Sequence, residues 1–325
     1  MKKKLVFLLI CMFVISFASF LLTRKPLKEE TQNNIKIVTS FYPTYIITKN
    51  LVDNIEHIEL VNLTEYDTGC LHNYQLTTQD MKRLEDADLF IMNGGGMESF
   101  MGDILASNPD LPIIDASEGL SLLPGSGHNH HEVDRDHEGH EEDSASNHDL
   151  DHSHEYNAHV WLNMDYYKEQ IKNIQMELEK YDPEHKLIYE KNAERYIDEI
   201  TQLQEEYLVS LEPYKDIPIV LFHDAFVYLA QEMGLNMVHA IDMDSDTYFS
   251  ASQISEIINI IKKEQVKILL IDSQYNTLIA ERIASESNAK VYKVNTIVQG
   301  EFVKEAYITG MKDNLEILIE AYKDY

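Results

Sequence analysis

Three histidines stand at positions where parallel sheets bind ligands. His72 lies just after the predicted strand Ile58–Leu63, His159 lies shortly before a predicted helix, and His223 directly follows the predicted strand Ile217–Phe222. Ligands of parallel sheets bind outside the carboxyl ends of the strands. Three neutral imidazoles would form a partial coordination shell for zinc, at about 2.0–2.1 Å. Taken alone, each histidine is also explained as a buried, hydrogen-bonded residue or as a helix cap.

A second group of histidines lies in an acidic, low-complexity segment between Pro124 and Asn157. It holds eight of the fourteen histidines. They are His128, His130, His131, His137, His140, His148, His152 and His154. Imidazole and the interleaved carboxylates are ligands for zinc, copper and nickel, so the segment would bind several ions weakly. It has almost no large apolar residues, which predicts a disordered surface loop over 124–157. The alternative is a merely solvated acidic loop.

Two further side chains have more than one interpretation. The thiolate of Cys70, two residues before His72, would be a sound metal ligand, or Cys70 is a small apolar residue packed beneath the loop. Asp272 is either a fourth ligand or a polar residue at the end of a strand, and water is another candidate for the fourth position. The remaining histidines have no motif around them and are interpreted as structural. They are His57, His185 and His239.

The elements that position these residues alternate between apolar runs and helical patterns. The predicted strands are Ile35–Thr39, Ile58–Leu63, Leu89–Met92, Pro112–Ile114, Ile217–Phe222, Asn236–His239, Val266–Ile271 and Lys290–Val294. This alternation predicts parallel sheets with helices on both faces. Glu184 to Leu211 reads as one long helix of roughly 40 Å at 1.5 Å per residue. We therefore predict an α/β fold with one lobe at 35–183 and a second at 213–325, joined by a rigid helix at 184–212. The ligand cleft is expected between the two lobes.

The amino terminus predicts export. Lys2, Lys3 and Lys4 precede an apolar run from Leu5 to Leu22, and a polar stretch follows. Positive charge before an apolar segment directs the rest of the chain outward. Residues 1–34 are thus an export signal or a membrane anchor with a linker, and an uncleaved anchor is favoured over cleavage.

Composition and motifs exclude several classes of function. The net charge of −29 argues against a nucleic-acid partner, which would need clustered Lys and Arg. Gly94–Gly96 follows a strand without the spacing of a dinucleotide-binding loop, and no P-loop motif occurs. A zinc hydrolase is disfavoured because neither His-Glu-x-x-His nor a nucleophile elbow is present.

Four features, in this order along the chain, carry a resemblance to a known family. They are the Gly-Cys-Leu-His-x-Tyr-Gln-Leu-Thr run from Gly69, the acidic histidine-rich loop, Asn-x-His-Val-Trp-Leu from Asn157, and Phe-His-Asp-Ala-Phe from Phe222. Over nearly all of 35–325 the chain resembles the cluster A-I solute-binding proteins of zinc and manganese ABC importers. The resemblance implies metal bound between two lobes, with His72 and His159 from the first and His223 from the second. One departure is Asn295, where the family often has a carboxylate.

The function implied is an extracytoplasmic, high-affinity zinc receptor that delivers the ion to an ABC permease. The manganese branch usually has Glu where His223 stands, so a third histidine favours Zn²⁺, with Mn²⁺ as the alternative. The histidine-rich loop would gather ions. The chain would act as a monomer, tethered to the membrane by its amino-terminal segment. The alternative function is a metal-binding surface adhesin.

Overall fold

Short apolar strands form two sheets, and the inner strands of each sheet are largely buried. A computed structural model describes residues 34–65, 68–71, 74–125, 156–241, 243 and 249–325. The first sheet contains β1 (Ile35–Thr39), β2 (Ile58–Asn62), β3 (Leu89–Met92) and β4 (Ile113–Asp115) in the order β2-β1-β3-β4, and every pairing is parallel. The prediction of a parallel sheet is confirmed.

A separate antiparallel ribbon lies at the edges of the histidine-rich segment. β5 (Leu123–Pro124) pairs with β6 (Tyr156–Asn157), Leu123 opposite Asn157 and Pro124 opposite Tyr156. The ends of the predicted loop 124–157 are therefore paired. Its interior, 126–155, with all eight histidines, lies outside the described residues, as does the apolar run from Leu5 to Leu22.

The second sheet repeats the architecture of the first. It contains β7 (Ile219–Leu221), β8 (Met237–Ala240), β9 (Ile268–Asp272) and β10 (Lys290–Val294) in the order β10-β9-β7-β8, again all parallel. All five residues of β9 are buried, as expected for a central strand covered on both faces.

Helices cover both sheets. They are α1 (Tyr42–Leu51), α2 (Thr78–Leu84), α3 (Gly102–Ser107), α4 (Met164–Tyr181), α5 (Lys186–Leu211), α6 (Val227–Met233), α7 (Ala251–Lys263), α8 (Leu278–Ser287) and α9 (Ala306–Lys323). Within the described ranges, no helix has both the length and the apolar character needed to cross a membrane.

The long helix α5 joins the two lobes through one continuous apolar stripe. Its buried residues recur at intervals of three or four, the spacing of one helix face. They are Tyr189, Asn192, Ala193, Tyr196, Ile200, Leu203, Tyr207 and Leu211. The helix packs against α1, α4 and α9, and the largest hydrophobic cluster extends through both lobes. Pro183–His185 and Glu212–Tyr214 extend it at either end as 3₁₀ turns.

Glu232 ties the start of α4 to α5 and α6. Its carboxylate accepts hydrogen bonds from the Met164 backbone N–H at 2.7 Å, the Asp165 backbone N–H at 3.3 Å and the Gln204 side-chain amide at 2.6 Å. An acceptor at a helix N-terminus satisfies backbone donors that have no partner within the helix. Burial nevertheless raises the pKa of Glu232 to about 7, because the charged form loses its hydration.

The loop after β3 contains two glycines with a left-handed backbone, and only one of them also lies against another side chain. Gly94 has φ +81°, and a Cβ there would lie 1.8 Å from Oδ1 of Asp115. Gly96 has φ +90° with nothing within 4 Å of its Cβ position. The Glu98 carboxylate folds back onto this loop and accepts the backbone N–H groups of Asn93 and Gly94 at 2.7 and 3.1 Å.

Gly94→Ala should therefore lower the free energy of unfolding by more than Gly96→Ala does. Both variants incur the cost of a left-handed backbone, on the order of 1–2 kcal/mol, but only Gly94→Ala also displaces the Asp115 carboxylate. Urea unfolding of the two variants beside the wild type measures the difference. Equal losses would show that the contact with Asp115 is unimportant.

Glu232→Gln should become more stable relative to the wild type as the pH rises from 5 to 8. The pKa of Glu232 is about 7 in the folded chain against an ordinary value of 4.5, so between these values the folded state holds a proton that the unfolded state has released. Its contribution to stability is thus fully present below about pH 4.5 and is lost as the pH rises through 7. Glutamine keeps an acceptor oxygen but does not titrate.

The measurement is the difference in unfolding free energy between wild type and variant at both pH values. Glu316→Gln, on the exposed face of α9, is the matched control and should show no such trend. A difference for Glu232→Gln that stays constant with pH would contradict the raised pKa.

Candidate metal centre

His223 stands at the carboxyl edge of the second sheet, where its ring is fixed by a neighbouring strand. It follows β7 directly, and Asp272 ends the adjacent strand β9. The two side chains meet with Nδ1 of His223 3.2 Å from Oδ2 of Asp272. Because a carboxylate accepts hydrogen bonds, this contact favours the tautomer of the neutral ring that has its proton on Nδ1 and its lone pair on Nε2.

Asp272 is itself held in place by the loops that follow β9 and β10. The hydroxyl of Thr296 donates to Oδ2 at 2.8 Å, and the backbone N–H of Gln274 donates to Oδ1 at 3.1 Å. The side-chain amide of Gln274 in turn donates to the Thr296 hydroxyl at 2.7 Å. The carboxylate that orients His223 therefore has little freedom to move.

His159 is oriented in the same way by an amide. Oδ1 of Asn157 accepts from the backbone N–H of His159 at 3.0 Å and lies 2.8 Å from Nδ1 of its ring. The other end of the amide donates to the backbone carbonyl of Asp224 at 2.9 Å, which fixes the oxygen towards His159. The Nδ1 of His159 therefore donates to this oxygen, and Nε2 is directed at the side chain of Cys70.

The two histidines meet with Cys70 in one cluster that joins the lobes. The rings of His159 and His223 are 4.9 Å apart and nearly perpendicular, and the side chains are 0% and 1% exposed. Sγ of Cys70 lies 3.6 Å from Nε2 of His159. One potential ligand atom from each of the three residues lies within 4.8 Å of the other two. Nitrogen and sulfur donors at such spacing suit zinc.

Acidic groups surround this cluster. Oδ1 of Asp224 lies 3.7 Å from Nδ1 of His159 and 3.8 Å from Nε2 of His223. Burial raises the pKa of the Cys70 thiol well above its usual range, and the charges of Asp272 and Asp224 raise it further. Without a cation the sulfur is held as a thiol, and a bound cation would offset the charges around it.

The residues singled out in the sequence are placed as follows. His159 and His223 come together, and Cys70 joins them in the cluster. His72 and Asn73 lie outside the described residues. Asp272 reaches the ring of His223. Asn295 turns away: its backbone N–H and carbonyl pair with Asn314 at 2.7 Å each, and its Oδ1 accepts the backbone N–H of Ile297 at 2.7 Å.

The sequence did not reveal the residues that orient the imidazoles. Asn157 was visible only as part of the Asn-x-His segment, and its spacing of two residues from His159 is the signal for its role. Asp224 directly follows His223 and was recognised only as part of the Phe-His-Asp-Ala-Phe segment. Thr296 carries no local signal, because it meets Asp272 only through the pairing of β9 with β10.

Two curated relatives resemble the chain over most of its length. The zinc-binding protein AdcA of Streptococcus pyogenes serotype M3 is 29% identical over 327 residues, which cover 98% of this chain and 61% of AdcA. The high-affinity zinc uptake system protein ZnuA of Bacillus subtilis is 29% identical over 293 residues, covering 88% of this chain and 87% of that protein. The chain thus spans less than two thirds of the length of AdcA.

Solved structures show the same fold. The solute-binding protein FpvC of Pseudomonas aeruginosa in complex with Ni²⁺ superposes with a TM-score of 0.73 at 24% identity, covering 90% of this chain and 97% of FpvC. The laminin-binding protein Lmb of Streptococcus agalactiae is described as bifunctional, with adhesin and metal-transporting activity. It superposes with a TM-score of 0.71 at 25% identity and covers 89% of this chain and 99% of Lmb. The predicted fold of two α/β lobes joined by a long helix is confirmed.

The family described as zinc-uptake complex component A, periplasmic, matches residues 37–321. Its members are extracytoplasmic solute-binding proteins, which confirms the expected location and the expectation that the chain is not an enzyme. Because the match extends over both lobes and the helix between them, the chain belongs to this zinc-uptake family.

Proposed function

We propose that the chain is a zinc receptor that binds the ion between its lobes and delivers it to an ABC permease. The observation that carries this proposal is the buried cluster in which His159 and His223 come from different lobes and meet with Cys70. A site built from both lobes lets the bound ion bridge them. The zinc-binding relatives AdcA and ZnuA support the same ion.

The proposed ligands are the Nε2 atoms of His159 and His223, with His72 as the third imidazole. In both described rings Nδ1 is occupied by an orienting partner, which is the arrangement that presents the opposite nitrogen to a metal. We assign the fourth position to the thiolate of Cys70, because its sulfur already faces Nε2 of His159. Asp272 then orients His223 rather than binding the ion.

This donor set favours zinc over manganese. Imidazole and thiolate are borderline to soft ligands that suit Zn²⁺, whereas Mn²⁺ prefers carboxylate, carbonyl and water oxygens. The two nearby carboxylates, Asp224 and Asp272, contribute negative charge around the ion.

The other parts of the chain have proposed roles in delivering zinc to the permease. We propose lobes at 35–183 and 213–325, a tether within 1–34 and a monomeric receptor that docks on the permease. The histidine-rich loop gathers ions, so its removal lowers uptake when zinc is scarce and leaves affinity at the cleft unchanged. The deletion should span 126–155 only, because Asn157 in β6 orients His159.

His223→Ala should abolish one tight zinc site and leave the loop sites intact. The ring supplies one of the four proposed ligands. Its removal also takes away the imidazole that contacts the buried Asp272 carboxylate. The measurement is competition for zinc against a chelator of known affinity, with the full chain and with the 126–155 deletion, and then with Mn²⁺. His239→Ala, in β8, is the matched control and should bind as the wild type does.

A single tight site that survives the loop deletion, disappears in His223→Ala and prefers zinc supports the proposal. If all zinc binding were lost with the loop, no cleft receptor would exist. The adhesin function would then be favoured, since Lmb combines adhesion with metal transport. Growth at scarce zinc after deletion of the gene separates the two: a receptor mutant is rescued by added zinc, whereas an adhesin mutant grows normally.

Cys70→Ser and Asp272→Asn should have different spectroscopic effects. With Co²⁺ as the probe, the wild type should show a thiolate-to-metal charge-transfer band that Cys70→Ser abolishes. Asp272→Asn should keep the band and weaken binding by about 10- to 100-fold, the usual effect of changing a group that orients a ligand. Asp324→Asn, an exposed residue paired with Lys290, is the control. If the wild type lacked the band, the assignment of Cys70 as the fourth ligand would be wrong, and water or Asp272 would be the candidates for that position.

A further inference from the structure

A second group of metal-ligating side chains lies at the junction between α4 and α5. Nε2 of His57 lies 3.3 Å from Oδ2 of Asp182, and Nδ1 of His185 lies 3.0 Å from the same oxygen. The two rings are 4.4 Å apart, and one ligand atom from each residue lies within 4.8 Å of the other two. His57 and His185 had been interpreted as structural because each lacked a motif in the sequence.

The spacing of these atoms matches a coordination shell. Ligands at about 2.0–2.1 Å from a tetrahedral zinc ion stand about 3.3 Å from one another. The two measured nitrogen–oxygen separations, 3.3 and 3.0 Å, are close to that value. Two imidazoles and one carboxylate are donors that zinc accepts, and the side chain of His185 is 20% exposed, which leaves an open side for a water ligand.

A neighbouring hydroxyl holds the carboxylate in place. The phenol of Tyr189, one turn into α5, donates to Oδ2 of Asp182 at 2.9 Å. Burial acts to raise the pKa of Asp182, but hydrogen bonds from His185 and Tyr189 outweigh it and hold the pKa below its ordinary range. The group is therefore an anion that two rings and a hydroxyl hold in place. A cation that replaced the two ring hydrogen bonds would find all three donors already adjacent.

This cluster is separate from the cleft. The backbone carbonyl of His57 accepts the N–H of Ile35 at 2.8 Å, so it lies at the amino ends of β1 and β2. The cleft lies at the carboxyl ends, a strand length of roughly 16 Å away for five residues at about 3.3 Å each. An ion here would tie the turn before β2 to the start of the helix that joins the lobes.

We propose that His57, Asp182 and His185 form a second site for zinc or a similar first-row divalent cation. On binding, the nitrogen of each neutral ring that faces Asp182 releases its proton to solvent, and the other ring nitrogen takes one up, so the ring stays neutral and coordinates through the freed lone pair. A water molecule completes the shell. The site differs from the cleft in having no thiol and only three protein ligands. Its effect is to rigidify the turn between α4 and α5.

The test is hydrogen exchange followed by mass spectrometry on the full chain, with ZnCl₂ added to the metal-free protein. Zinc should slow exchange of the backbone amides over 183–189. His57→Gln and His185→Gln should each raise the zinc concentration for half-maximal protection at least about tenfold, since losing a ligand costs no less than losing a group that orients one. His239→Gln is the control and should leave protection unchanged.

A second measurement locates the ion directly. Crystals of the full chain grown with zinc should show an anomalous difference peak at the zinc edge between the three side chains. His223→Ala should leave this peak and the protection of 183–189 in place, so failure of the cleft site and failure of this one are distinguishable. If neither the peak nor the zinc-dependent protection occurs in the wild type, the cluster is a hydrogen-bonded His–Asp–His group and the proposal is wrong.

Discussion

The arrangement of the cleft depends on the hydrogen bonds that fix residues 157–162 against the second lobe. Asn157 donates through its side chain to the carbonyl of Asp224 and accepts at its own carbonyl from the Tyr228 hydroxyl, at 2.9 and 2.7 Å. Trp161, fully buried, donates its indole N–H to the carbonyl of Thr296 at 2.7 Å, and its own carbonyl accepts from the hydroxyl of Tyr307 at 2.8 Å. His159 lies between these anchors. Its ring is therefore placed relative to His223 by bonds that do not involve a metal.

This restraint limits how the lobes can separate. Opening them at His159 would break the bonds from the Trp161 indole N–H and the Asn157 amide to the second lobe, at a net cost of about 0.5–1.5 kcal/mol each. It would also divide the core that α5 shares with both sheets. These bonds would keep the side chains of the proposed site in place before an ion binds, and preorganisation reduces the entropy lost on binding. The restraint is consistent with a receptor that must hold a dehydrated ion until it reaches its permease.

The sequence predicted the elements better than the contacts between them. The strands Ile35–Thr39, Leu89–Met92 and Lys290–Val294 have the predicted limits, because apolar runs are local signals. The orienting role of Asp272 was not predicted, because a carboxylate at a strand end has the same local pattern whether it binds a metal or a histidine. The cluster around Asp182 was missed for a similar reason: His57 is 125 residues away along the chain. Side chains that meet only through tertiary packing leave no periodic pattern in the sequence.

The rings of the two histidine clusters differ in their hydrogen-bond acceptors, and we therefore expect the two clusters to differ in their affinity for zinc. In the cleft each ring has its own orienting acceptor at Nδ1, Asn157 for His159 and Asp272 for His223, and the proposed ligand atom of each ring is the opposite nitrogen, Nε2. At the α4–α5 junction two rings share the single carboxylate of Asp182 through the same nitrogens that would coordinate, so an ion must first displace those hydrogen bonds. At the cleft, by contrast, the hydrogen bonds that orient the two rings through Nδ1 are kept when an ion binds. Zinc should occupy the cleft first and the junction only at higher concentration, so transport and stabilisation of the helix joint would respond to different levels of the same ion.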